Sequence, residues 1–221
     1  ISKVVTNYNI TSPSNVTQGS SLALTATGDF SNMMFDDAPN GNFTNGDQDF
    51  QTDVSTNYSY GRYFVTTNPR NVFSWAPSFN DNSFGNGNLM AVDAPTPANS
   101  RIWYTTVSVV AGNTYDLSVM MRDFWGGAQI QWNANGVAIG SSITGQANNW
   151  LNLSTTYTAT TTGNVTFSIN NLIGGSSGND YALDDVSIIE NTPVTYLWTG
   201  PNGYSSTQAN PVIPNAQLVN S

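Results

Sequence analysis

Two adjacent aspartates, Asp184 and Asp185, stand inside the run Tyr181-Ala-Leu-Asp-Asp-Val-Ser-Ile-Ile189, which is otherwise apolar and rich in β-branched residues. Such a run predicts a strand, and alternation along a strand sends the two carboxylates to opposite faces, at least one of them toward a packed layer. A carboxylate buried without a partner is costly. The chain of 221 residues carries five Lys plus Arg, no His and no Cys. The readiest counter-charge is therefore a hard cation such as calcium, held by oxygen ligands. The alternative is a pair of solvated aspartates at a strand end.

A second chemistry resides in the tryptophans. An indole face packs on the C–H patches of a pyranose, while the sugar hydroxyls seek planar donors and acceptors. Trp75, Trp103, Trp125, Trp132 and Trp150 are the available platforms. A β domain buries several large aromatics, and Trp132 and Trp150 read as packing. The run Met121-Arg-Asp-Phe-Trp-Gly-Gly127 gathers Arg122, Asp123 and Trp125 beside a glycine pair near a strand end. Arg122, Asp123, Trp125 and Trp103 are thus the expected glycan contacts. The competing reading pairs Arg122 with Asp123 or Asp93 at the surface and uses Trp125 to cap the core.

Composition closes other routes. Without Cys there are no disulfides, thiol nucleophiles or sulfur metal sites; without His the usual zinc sites and the Ser-His-Asp arrangement are gone. Glu190 is the sole glutamate, so a pair of glycosidase carboxylates would have to come from aspartates. We expect no enzyme. A net charge of −9 repels a phosphate backbone, which disfavours nucleic acid and anionic membranes. No apolar run reaches the roughly 20 residues that cross a bilayer, so membrane insertion is not expected. The N-terminus lacks a signal-peptide pattern, and the chain reads as mature or as a fragment. With 9% of residues charged, the surface must be built from Asn, Thr, Ser, Gln and Gly, which suits a protein that meets sugars outside the cell.

The elements that would position these groups are strands. Alternating or β-branched runs recur at 21–26, 102–110, 114–121, 128–132, 137–140, 151–159, 164–170, 181–189 and 194–199, each bounded by Gly, Asn or Pro. No helix-period stripe competes. Asn135-Gly136 between two runs predicts a two-residue hairpin, since both residues tolerate positive φ. The chain is expected to be all-β and to form a sandwich.

The two ends differ from the middle. Gln18-Gly-Ser-Ser-Leu-Ala-Leu-Thr-Ala-Thr27, joined to Val194-Thr-Tyr-Leu-Trp-Thr-Gly-Pro-Asn-Gly-Tyr204, resembles one continuous immunoglobulin-like repeat of large secreted bacterial adhesins. The resemblance implies Trp198 in the core of that repeat. It also implies a discontinuous host, residues 1–28 and 191–221, interrupted by a domain at 29–190. Such repeats close with a strand of the form Gly-x-Tyr-x-Val, which would begin where this chain stops. A longer chain or a neighbouring subunit would supply it.

The middle resembles a carbohydrate-binding-module-like jelly roll of secreted bacterial surface proteins. The matching pieces are Asn40-Gly-Asn-Phe43, residues 58–68, Gly85 to Val92, Ile102 to Val109, Asn113 to Val119 and Gly178 to Ile188. The fold class implied is a jelly-roll β-sandwich inserted into an incomplete Ig-like β-sandwich. That family holds a structural calcium between its first and last strands, which implies Asn42 and Asp184 or Asp185 as ligands. Thr44 stands where the family has an acidic residue, which shifts that ligand to Asp47 or Asp49. Glycans or cell-surface polysaccharide, and neighbouring repeats or subunits of the same surface protein, are the implied partners. The location implied is the outside of a bacterium. The alternative function is a structural stalk or fibre subunit.

Overall fold

The computed structural model describes residues 8–11, 22–23, 25–28, 50–54, 61–82, 87–175, 178–191, 196–200, 203–208 and 210–213, with the backbone alone before residue 50. The chain falls into two compact units. One consists of Ile1–Asn32 with Thr192–Ser221, the other of Met33–Asn191.

The first unit contains β1 (Tyr8–Thr11), β2 (Leu22–Ala23) and β3 (Thr25–Gly28) from before the second unit. In the second unit follow β4 (Arg62–Thr66), β5 (Leu89–Asp93), β6 (Arg101–Val109), β7 (Thr114–Asp123) and β8 (Gln129–Ala134). Next come β9 (Val137–Ala138), β10 (Ile143–Thr144), β11 (Leu151–Thr158), β12 (Gly163–Asn171) and β13 (Tyr181–Asn191). The chain then returns to the first unit with β14 (Trp198–Thr199), β15 (Ser205–Ser206) and β16 (Val212–Ile213). In that unit β1 pairs with β3, β14 with β15, and β16 with β2, so segments from both ends of the chain share a ladder.

The second unit is an antiparallel jelly-roll β-sandwich. One sheet runs β10-β8-β12-β6 with β9 on β8, the other β11-β7-β13-β5-β4. Period-two alternation explains the core: Val165, Phe167 and Ile169 of β12 and Ile130, Trp132 and Ala134 of β8 all turn inward. Across the gap they meet Leu117, Val119, Leu183 and Ile188. Trp103 and Trp132 pack edge to face at 6.0 Å, and Trp132 Nε1 donates to the Leu153 carbonyl at 3.3 Å. That bond ties β8 to a strand of the opposite sheet. The expected Asn135-Gly136 hairpin forms, with Ala134 opposite Val137 and φ of 49° and 79° at the two turn residues.

The outer face of the second sheet is covered as well. Asn68 caps a short 3-10 turn at Pro69–Asn71 by accepting from the Arg70 N–H at 3.0 Å. The chain beyond it lays Phe73, Ala76 and Phe79 over Leu89, Ala91, Phe124 and Ala182. Residues of β5 are consequently buried on both faces.

Candidate functional site

On the outer face of the first sheet, the residues that alternate with the core set are polar. Thr166, Ser168 and Asn170 of β12 lie there with Asn133 of β8 and the turn residues Asn135 and Gly136. Lateral pairing arranges them in rows: Tyr104 lies opposite Ser168, Ser168 opposite Asn133, and Asn133 opposite Ala138. At the far edge, residues 51–53 pair with β6 through Gln51 and Tyr104, and Asp53 N donates to the Arg101 carbonyl at 2.9 Å. The result is a groove of about 870 Å³, walled on one side by Asp53 and Arg101 and on the other by the hairpin turn.

The side chains of this groove are held in place. Arg101 grips Asp53 with two prongs, Nε to Oδ2 at 2.9 Å and Nη2 to Oδ1 at 2.8 Å. The bond holds the Asp53 carboxyl below its usual range and pushes the guanidinium further up. The guanidinium lies over the Tyr104 ring, 3.8 Å from its centre. Ser168 Oγ donates to Asn170 Oδ1 at 2.7 Å, and Asn170 Nδ2 donates to the Asn99 carbonyl at 3.0 Å. Asn133 Nδ2 reaches the Gly136 carbonyl at 3.5 Å, while its buried Oδ1 has no partner among the described residues.

The residues singled out from sequence lie elsewhere. Asp184 and Asp185 do not point to opposite faces. A bulge between Asp184 and Ser187, with Asp185 at φ 48°, turns both toward Asn82. Asp184 Oδ2 accepts from Asn82 N and Asp185 Oδ2 from Asn82 Nδ2, both at 2.7 Å, and Asp184 Oδ1 accepts from the Asp185 N–H. Amide N–H groups thus supply partners where the sequence pointed to a cation or, alternatively, to solvent. Burial pushes the Asp184 carboxyl up to about 7 against those donors, and the charges of Asp185 and Asp81 add to the shift. Asn42, Asp47 and Asp49 lie outside the described residues, and among the described residues no group of three or more carboxylates is disposed to hold a metal.

Of the four expected glycan contacts, two are enclosed. Trp103 is a core residue, stacked on Phe50 and set edge-on to Trp132, with no ring face left for a ligand. Asp123 is buried and organises the turn after β7 by accepting from the N–H groups of Trp125, Gly126 and Ala128. Trp125 is 55% exposed. Arg122 lies over the Phe79 ring at 4.0 Å, and burial pulls its pKa down. The alternative surface pairing of Arg122 does not form either: Asp93 binds Arg62 at 2.9 Å. The groove residues escaped notice because single Asn and Ser positions look ordinary. The available signal was the run of polar residues at 166, 168 and 170, in step with 129, 131 and 133.

No family model matches the chain, and no curated protein does. Among solved structures it is similar to the C-terminal domain of EclA, a sugar-binding protein, at 24% identity over 42% of this chain and 71% of that one, with a TM-score of 0.38. It is also similar to the CBM22-1 xylan-binding domain of Paenibacillus barcinonensis Xyn10C, at 12% identity over 60% and 83%, with a TM-score of 0.43. A third is the Stig cyclase Fisc from Fischerella sp. TAU, at 10% identity over 65% and 84%, with a TM-score of 0.47.

Proposed function

We propose that this chain is a non-catalytic glycan-binding segment of a bacterial cell-surface or secreted adhesin. The jelly roll takes polysaccharide in the groove on its first sheet, and the flanking unit is the Ig-like host that joins it to neighbouring repeats. The observation that carries the reading is the lining of that groove. A carboxamide offers a donor and an acceptor in one plane, matched to neighbouring sugar hydroxyls. The Arg101–Tyr104 stack at 3.8 Å offers a flat surface beside them. A concave site with few, well-positioned polar groups is the usual form of a small-ligand site. Asp53 is the one carboxylate among the described residues that line the groove, whereas glycoside hydrolysis calls for two.

The same reading assigns a structural calcium to the corner of Asp184 and Asp185, completed by Asn42 and Asp47. Its support is electrostatic: the described donors leave Asp184 favouring its neutral form, as expected of a carboxylate short of positive charge.

Affinity electrophoresis of the full chain through gels cast with polysaccharides tests the binding site. We expect retardation by at least one polymer, and its loss in Asn170→Ala and Tyr104→Ala protein that circular dichroism shows to be folded. Loss confined to Trp125→Ala moves the site to the Arg122–Trp125 end. Retardation by none leaves the chain a structural stalk.

A further inference from the structure

The ion pair at the groove's edge is placed to decide which glycans enter. Resting on the glycan reading above, we infer that the groove is selective for uncharged glycans and that the Asp53–Arg101 pair is the determinant that excludes uronates.

Among the described residues that line the groove, the ionisable ones are Asp53 and Arg101, and every other side chain is neutral. The two cancel. Their two-pronged geometry at 2.8 and 2.9 Å fixes both in the charged form, Asp53 with its pKa lowered and Arg101 with its pKa raised. One face of the guanidinium is occupied by Tyr104, and the Nε–Nη2 edge by Asp53. What the groove shows a ligand is therefore a net-neutral wall with a carboxylate on it.

A uronate approaching this wall meets the Asp53 carboxylate at close range, and like charges juxtaposed at an interface are strongly disfavoured. Asp53 takes the Nε–Nη2 edge of Arg101, so the attraction of a uronate to the edge that remains is offset by a carboxylate already paired to the same guanidinium. A neutral sugar is spared that repulsion, and its hydroxyls donate to Asp53 and accept from the guanidinium hydrogens that remain. The net charge of −9 acts in the same direction at longer range.

The test compares xylan, mixed-linkage β-glucan and galactomannan with polygalacturonate and alginate, using the full chain in affinity gels at low and high salt. Wild type is expected to be retarded by a neutral polymer equally at both salt levels and by neither acidic one. Asp53→Asn removes the negative partner and leaves Arg101 its charge. The ratio of acidic to neutral retardation is then expected to rise by about tenfold or more, an increase that salt abolishes. Wild-type retardation by polygalacturonate comparable to that by neutral polymers overturns the inference. So does a folded Asp53→Asn protein that still excludes the acidic polymers. Should Asp53→Asn fail to fold, the wild-type salt series decides alone: neutral retardation that weakens with salt overturns a net-neutral groove. Retardation by no polymer of either class is a different result, and it removes the glycan reading itself.

Discussion

Among the described residues Asp180 is held by one donor, the Ala94 N–H at 3.0 Å on its Oδ1, in a setting otherwise hostile to charge. Burial is the main cause that raises its carboxyl from 3.8 to about 6, and the nearby carboxylates of Asp93 and Asp123 add to it. Arg62 is committed to Asp93, itself raised by burial. A folded-state pKa above the unfolded one means that the folded protein binds the proton more tightly. The associated stability is fully present below the unfolded value near 3.8 and is lost as pH rises through about 6. The shift corresponds to on the order of 3 kcal/mol. In chelator, so that no cation contributes, the melting temperature is expected to rise as pH falls from 8 to 5. Asp184, raised to about 7, adds to the same rise, so Asp180→Asn is expected to reduce it without abolishing it and to melt higher than wild type at pH 8; an unchanged slope would place the acid effect at Asp184. At the same scale, the sequence told more about residue type than about direction. A carboxylate pair in an apolar strand announces buried charge, and Asp184 is buried. Only the bulge at Asp185 decides that both point at Asn82, and no spacing encodes it. Trp103 shows the converse, since its identity suits a sugar platform while its position on the inward face of β6 makes it core.

Strand-forming runs were legible wherever one face of a sheet is wet. The reading of 114–121 meets β7 at Thr114–Asp123, and that of 151–159 meets β11 at Leu151–Thr158. Both alternate buried and less buried residues along most of their length. β4 and β5 entered only through a family resemblance, because Phe73 and Phe79 cover the second sheet from outside. With both faces of Leu89–Asp93 buried, the period-two signal disappears. The groove was illegible for a related reason. Asn133 and Ser168 are brought together by the pairing of β8 with β12, and lateral pairing leaves no mark on local spacing. The β8–β9 turn was the most legible element, and it carries a prediction. Gly136 has φ 79° and nothing within 4 Å of where a Cβ would stand, so Gly136→Ala costs only backbone strain, about 1 kcal/mol. Gly140, at φ 67°, would place its Cβ 2.4 Å from Thr155 Oγ1. Gly140→Ala is therefore expected to cost more than Gly136→Ala, and urea-unfolding midpoints measure the order. Equal midpoints would mean that Thr155 turns away freely.

At the scale of the whole molecule, 14 acidic residues face five basic ones. Asp184, Asp185 and Asp81 interact electrostatically at one corner of the sandwich, with amide N–H groups of Asn82 and Asp185 as the described donors to the first two. A calcium ion at that corner would bind only the folded chain and would stabilise it in proportion to saturation, by about 2.7 kcal/mol at a hundredfold excess over Kd. For a unit of this size each kcal/mol moves the melting temperature by about 2–4 °C. Chelation is accordingly expected to lower the melting temperature by several degrees at pH 8, and Asp185→Ala to show no response to chelator. Such an ion would also reverse the acid behaviour of its corner. A bound cation favours the charged carboxylates, so saturating calcium is expected to raise the melting temperature most above pH 7 and least near pH 5, where protons compete for the same oxygens. Melting curves that coincide with and without chelator across that range exclude the ion and leave the Asn82 and Asp185 amides as the described donors to the two carboxylates.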